Sequence, residues 1–117
     1  MRERRYFIAG TGFEAPELAP GLHVVATPIG NLRDMTIRGL ETLAAADVIY
    51  CEDTRRTLTL LNHIGIKKPL VSCYRENERQ RAQEVVARVQ AGERSLLWIA
   101  THRFTGWLDL QLWRLAP

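Results

Sequence analysis

The chain has 117 residues, 46% hydrophobic and 25% charged, which excludes disordered, collagen-like and disulfide-scaffold classes and limits it to one small domain. Sixteen Lys and Arg against thirteen Asp and Glu give a formal charge of +3; signs this interleaved do not by themselves indicate an anionic partner. No apolar run approaches the ~20 residues of a membrane span, and Tyr6-Phe7-Ile8-Ala9, after the basic residues 1–5, is too short for a signal peptide. A cytoplasmic protein with no membrane partner is therefore expected.

Residues 1–21 carry Gly10, Gly12, Pro16, Pro20 and Gly21 without sustained periodicity, so an irregular arm is predicted ahead of the domain. The first strand is predicted over residues 22–27 and ends at Pro28, which lacks the amide a central strand needs. Thr36 can cap a helix whose apolar residues Ile37, Leu40, Leu43 and Ala44 fall at helical spacing, with Arg38 and Glu41 on the wet side. Val48-Ile49-Tyr50-Cys51 is a continuous apolar run, as expected of a strand covered on both faces. Asp53 or Thr54 can cap the next helix, with Leu58, Leu60 and Leu61 as its stripe and Gly65 as its left-handed stop.

A third strand is predicted over residues 70–73. Asn77 followed by Gln80 suggests a capping box for a helix over residues 78–91, with Ala82, Val85, Val86 and Val89 inward and Gly92 at its end. A fourth strand begins at Ser95 and runs to Ala100. Strands separated by single helices run parallel through right-handed crossovers, so the fold class is α/β, a layered parallel sheet of βαβ units occupying residues 22–100. Residues 101–117 form an atypical tail.

In open parallel sheets, ligands sit beyond the carboxyl ends of the strands, which makes the loops after the first three strands the informative ones. Thr27-Pro28-Ile29-Gly30-Asn31-Leu32 offers Gly30 for close backbone approach to a ligand, or equally a β-turn with Pro28 at its first corner. Glu52-Asp53-Thr54-Arg55-Arg56 gathers two carboxylates and two guanidiniums at a strand end. Arg55 and Arg56 can bind phosphate bidentately, and the alternative is an Asp53 helix cap with surface ion pairs. In the loop at Cys73-Tyr74-Arg75-Glu76, Asn77 and Glu78 read chiefly as capping residues. Cys51 and Cys73 sit in apolar runs and are read as buried thiols. His23, His63 and His102 lack metal-ligand spacing, so no metal is expected. Trp98, Trp107 and Trp113, with Phe104, crowd the C-terminus.

The run Leu22-His23-Val24-Val25-Ala26-Thr27-Pro28-Ile29-Gly30-Asn31-Leu32-Arg33-Asp34-Met35-Thr36 resembles the opening of the bacterial 16S rRNA cytidine 2′-O-methyltransferases of the tetrapyrrole methylase family. So does Cys51-Glu52-Asp53-Thr54-Arg55-Arg56-Thr57 with Leu60-Leu61-Asn62-His63-Ile64-Gly65-Ile66. The resemblance covers about residues 22–95. It implies two α/β domains with S-adenosylmethionine in the cleft between them, and 16S rRNA in the small ribosomal subunit as partner. Thr27, Pro28, Ile29, Gly30 and Asn31 then match the cofactor loop. Glu52 and Asp53 become candidates for the ribose hydroxyl proton, and Arg55 and Arg56 for RNA phosphate.

The sequence departs from this family where a Ser-Asp-Ala-Gly-Thr-Pro type motif is expected, at Trp98-Ile99-Ala100-Thr101-His102-Arg103-Phe104, and in the altered histidine-rich loop at Cys73-Tyr74-Arg75-Glu76. An out-of-frame or truncated tail from about Leu96, with the second domain missing and an incomplete, inactive chain, is one expectation. A homodimer would cover the apolar surface then left exposed. Two other readings stand beside methyl transfer to RNA. One is a non-catalytic RNA-binding remnant using Arg55, Arg56, Lys67, Lys68, Arg79 and Arg81; the other is a tetrapyrrole methylase-like enzyme with a small-molecule substrate.

Overall fold

The computed structural model describes residues 3–26, 35–74, 76–92 and 95–100. The chain order is β1 (Arg5–Ile8), β2 (Thr11–Glu14), β3 (Gly21–Ala26), α1 (Ile37–Ala45), β4 (Val48–Cys51), α2 (Thr54–His63), β5 (Leu70–Ser72), α3 (Glu78–Gln90) and β6 (Ser95–Ala100). The α/β parallel sheet expected from the alternation of strands and helices is present. Its strand order is β3-β6-β4-β5, with every neighbouring pair parallel.

That order dictates where the helices go. The chain moves in one direction across the sheet from β3 to β4 and on to β5, then back from β5 to β6. Right-handed crossovers therefore place α1 and α2 on one face and α3 on the other. Side chains in β4 alternate accordingly. Ile49 and Cys51 join the α1/α2 cluster with Leu40, Leu43, Leu60, Leu61 and Ile99. Val48 and Tyr50 join Leu22, Cys73, Ala82 and Val85 beneath α3. All four β4 residues are buried, which is why that strand reads as an unbroken apolar run.

Local chemistry starts and stops the helices. Thr36 Oγ1 accepts from the Gly39 amide at 3.0 Å at the head of α1, and Gly65 beyond the end of α2 and Gly92 beyond α3 adopt φ of +71° and +68°. Three sequence expectations are corrected. Leu58, expected in the α2 stripe, is 51% exposed, and Thr57 is buried in its place, because the helix turns 57, 60 and 61 toward the sheet. Ile37 is 64% exposed: it occupies the first helical position, where side chains lean back past the helix start. Asn77 does not make the expected capping-box bond and has φ −113°, ψ 2°; its side chain bonds the preceding turn instead, at Tyr74 and Ser72.

The arm expected to be irregular contains a hairpin. β1 and β2 pair antiparallel, Tyr6 opposite Phe13, with their rings 5.6 Å apart and nearly parallel. Ala9 and Gly10 both have positive φ, 49° and 83°, the backbone of a tight two-residue turn that matches strand twist. Ala-Gly is a poor sequence signal for that turn, and an isolated two-stranded hairpin is marginally stable in water, so the hairpin rests on tertiary contact. Tyr6 and Ala15 are buried in the α1/α2 cluster, and the Phe7 amide donates to the Ile64 carbonyl at 2.8 Å. The fit there is close: a Cβ on Gly65 would stand 2.5 Å from Phe7 Cδ1.

Candidate functional site

The loop leaving β4 runs to the α1/α2 face, whereas the loop leaving the neighbouring β5 runs to the α3 face. Adjacent loops that part in this way open a crevice at the carboxyl edge of a parallel sheet, the usual place for a ligand in such folds. One side is formed by residues 52–56 and the other by residues 73, 74, 76 and 77. The two are held in fixed relation, since Cys51 pairs with Ser72 and the Cys73 amide donates to the Cys51 carbonyl at 2.7 Å.

On the β4 side, Asp53 is the N-cap of α2. Its Oδ1 accepts from the amides of Arg55 at 3.0 Å and Arg56 at 3.2 Å, satisfying donors a helix start leaves open. The capping alternative raised by the sequence is thus realised at Asp53, without the surface ion pairs. The Arg55 and Arg56 side chains are exposed and form no ion pair with a described residue. Glu52 is half-buried at the strand end. These four residues are brought to one edge, as the sequence suggested.

The β5 side is built from polar contacts that sequence reasoning did not find. Tyr74 donates its amide to Asn77 Oδ1 at 2.8 Å and accepts the Asn77 amide on its carbonyl at 3.1 Å. Asn77 Nδ2 and Arg81 Nε both donate to the Ser72 carbonyl, at 3.2 and 3.0 Å. Arg81 also pairs with Glu84 at 3.1 Å, and the buried Tyr50 hydroxyl donates to the other Glu84 oxygen at 2.9 Å. Arg88 lies 3.8 Å from the same carboxylate. The i,i+3 and i,i+4 spacings of Arg81, Glu84 and Arg88 were readable on a helix, but Tyr50 lies thirty-four positions away and carries no local signal.

Burial raises the Tyr50 pKa, and its bond to Glu84 adds to the effect. At Glu84, burial works to raise the pKa, but the bonds from Tyr50 and Arg81 outweigh it and the carboxyl falls below the usual range. Burial pushes the Cys73 thiol up to about 12 and also raises that of Cys51, despite a hydrogen bond to Thr57. Both cysteines are free and buried, on opposite faces of the sheet; raised pKa values make them poor nucleophiles.

The remaining expectations are distributed unevenly. Thr27, Pro28, Ile29, Gly30 and Asn31 lie outside the described residues, as do Arg75, His102, Phe104, Trp107 and Trp113. His23 bonds the Ala19 carbonyl at 2.8 Å, and His63 is exposed at the end of α2. No group of three His, Cys, Asp or Glu among the described residues is placed to hold a metal ion, and no described helix is long and apolar enough to cross a membrane. The cations of the RNA-binding alternative do not form one patch. Arg55 and Arg56 lie at the carboxyl edge, Lys67 and Lys68 precede β5 at the amino edge, and Arg81 is engaged by Glu84 and Ser72.

Known proteins extend this picture. The profile of the family described as Tetrapyrrole (Corrin/Porphyrin) Methylases matches residues 21–98. Among curated relatives, "Ribosomal RNA small subunit methyltransferase I" of Mesorhizobium japonicum is 43% identical over 86 residues, 74% of this chain and 29% of the relative. The protein of the same name from Thermotoga maritima is 49% identical over 73 residues, 62% of this chain and 33% of the relative. That of Synechocystis sp. is 51% identical over 72 residues, 62% of this chain and 26% of the relative. The chain thus spans about a quarter to a third of the length of these relatives. A profile match running from β3 into β6, with β4, β5 and the loops after them inside it, settles the family: the chain belongs to the tetrapyrrole (corrin/porphyrin) methylases.

Proposed function

We propose that this chain is the first α/β unit of a methyltransferase that moves a methyl group from S-adenosylmethionine to the ribose 2′-oxygen of a cytidine in 16S rRNA of the small ribosomal subunit. The observation that carries the reading is the carboxyl edge itself, where Glu52, Asp53, Arg55 and Arg56 stand together on β4 and the start of α2. The relatives' shared name supports the RNA substrate.

S-adenosylmethionine would supply an electrophilic methyl group on a sulfonium. Thr27, Pro28, Ile29, Gly30 and Asn31 would hold it. These residues follow β3 in the chain, and its last residue, Ala26, pairs with Ala100 of β6. The protein's own work is positional. Transfer to a hydroxyl requires the oxygen in line with the methyl and a route for its proton. Asp53 holds the head of α2, which fixes the loop, and Glu52 and Asp53 are the carboxylates at this edge proposed to take the proton. Arg55 and Arg56 hold phosphate on the target strand through their planar forks, which sets register without reading sequence.

A chimera tests this reading. Residues 22–95 of this chain, substituted for the matching segment of the Thermotoga maritima relative, are expected to support methylation of small subunits from cells lacking the modification. Nuclease digestion and mass spectrometry would report 2′-O-methylcytidine. Glu52→Gln and the double change Arg55→Ala, Arg56→Ala are expected to reduce it, the first in kcat and the second chiefly in KM. Methylation of a small tetrapyrrole with none on RNA would overturn the assignment.

A further inference from the structure

Tyr74 is 45% exposed, although Cys73 before it is buried and the three residues of β5 are half-buried. An aromatic ring left in water at a ligand-binding edge calls for a partner, and the backbone beneath it is unusually well fixed for a loop. The amide and carbonyl of Tyr74 are both bonded to Asn77, and Asn77 and Arg81 together hold the Ser72 carbonyl two residues earlier. Arg81 is fastened to Glu84, and Glu84 to the buried hydroxyl of Tyr50. The ring is thus exposed, but its mount runs through a chain of polar contacts into the core.

Its neighbours define what it faces. β4 and β5 are adjacent and in register to their ends, about 4.8 Å apart, so Tyr74 and the loop bearing Arg55 and Arg56 leave neighbouring strands at the same level. Along β5, Leu70 packs with the α1/α2 cluster, while Val71 and Cys73 pack under α3. Tyr74 lies two residues beyond β5, where the turn closed by Asn77 begins. A planar apolar surface beside two exposed guanidiniums suits a nucleotide whose base is unpaired and whose phosphate is close by.

We propose that Tyr74 is a stacking platform for an unpaired nucleobase of an RNA strand whose phosphates lie on Arg55 and Arg56, with Asn77 and Arg81 as the residues that position it. The proposal rests on the RNA reading above and adds the base-contacting residue to it. Stacking tolerates any base, so the platform selects single-stranded over duplex RNA rather than one sequence.

The test is fluorescence anisotropy of the whole chain with a labelled single-stranded RNA of about 12 nucleotides, titrated at several salt concentrations. Tyr74→Ala is expected to weaken binding about 5- to 100-fold while leaving the slope of log K against log salt unchanged. Tyr74→Phe and Tyr74→Trp should stay within about twofold of wild type, which excludes a role for the hydroxyl and a fault in folding. Arg55→Ala with Arg56→Ala should instead flatten the slope by about 0.7 for each phosphate that is no longer neutralised. Asn77→Ala should reproduce part of the Tyr74→Ala loss. Wild-type affinity in Tyr74→Ala, or an equal loss on duplex and single-stranded RNA, would overturn the stacking platform alone. Loss in Tyr74→Ala that Tyr74→Phe or Tyr74→Trp fails to restore would overturn it too. No binding of RNA by the wild-type chain at low salt would overturn both this inference and the role given to Arg55 and Arg56, whereas failure of the chimera to methylate RNA, with the binding pattern intact, would overturn only the enzymatic reading.

Discussion

The two faces of the parallel sheet are made from alternate residues of the same strands and yet are held in different ways. The α1/α2 face is an extended apolar cluster joined by Tyr6 and Ala15 from the N-terminal hairpin. Among the described residues the α3 face holds a smaller cluster: α3 buries Ala82 and Val85, and much of its attachment is polar, through Tyr50, Glu84, Arg81 and the Ser72 carbonyl. The difference shows how a helix poor in apolar surface can be fixed in place. It also joins stability to the candidate site, because the contacts that attach α3 are those that shape the loop bearing Tyr74. Apolar burial carries no directional information of that kind, whereas hydrogen bonds orient the groups they join.

The largest effect that sharpens this comparison is expected at the centre of the α1/α2 face. Leu43 is fully buried, and Leu43→Ala should cost about 2–5 kcal/mol, read as a fall in urea midpoint at constant slope. Val85→Ala on the α3 face removes fewer methylenes and should cost roughly 1–2 kcal/mol. Equal losses would mean that the faces share their load evenly. Gly65→Ala should cost about 1–3 kcal/mol through its positive φ and the clash with Phe7. Adding Phe7→Ala should recover the part due to the clash, and simple additivity of the two changes would show that the hairpin does not press on that turn.

Glu84→Ala removes the carboxylate that accepts from the buried Tyr50 hydroxyl and pairs with Arg81 and should cost about 1–3 kcal/mol, against roughly 0.5–1.5 kcal/mol for Tyr50→Phe. Unchanged stability in both would remove the polar half of the comparison. The smallest changes are expected from pH, and they too separate the faces. Cys73 and Tyr50 have raised pKa values in the fold, so the folded state holds protons that the unfolded state releases. The Cys73 contribution is complete below about pH 9 and is lost as pH rises toward 12, and that of Tyr50 is lost at still higher pH. Glu84 is lowered, so its contribution is present above about 4.5 and is lost as pH falls through its folded value. Urea midpoints should decline on both sides, and Glu84→Gln should blunt the acid limb. An acid limb unchanged by Glu84→Gln would contradict the network.

Much of the sheet and its helices was legible because each element carries its own local signal. The uninterrupted apolar β4, the Thr36 and Asp53 caps and the glycines at 65 and 92 act within a turn or two of chain, and the structure places them as their residue types require. The hairpin was not legible, since Ala9-Gly10 is not a typical tight-turn pair and Tyr6 acts only when α1 is present to cover it. Leu58 and Thr57 exchanged their expected roles for a similar reason. Helical spacing defines a stripe, but which edge of it meets the sheet depends on how the helix is rolled. At the candidate site, the grouping of Glu52, Asp53, Arg55 and Arg56 was readable because they are nearly consecutive. The wall facing them was not, because it is assembled from Tyr74, Asn77 and Arg81 around a single carbonyl.

By itself, then, the sequence determined the element types, the parallel α/β class and which loops bear charged groups, since these follow from periodicity, capping chemistry and the right-handed crossover. Only the tertiary structure decided that β6 enters between β3 and β4, that the loops after β4 and β5 part to opposite faces, and that Tyr50 reaches Glu84. The physical reason is one of range. Local rules act over a few residues, whereas strand order and buried hydrogen bonds join groups far apart in sequence, and these are chosen by the joint packing of every element on a common core.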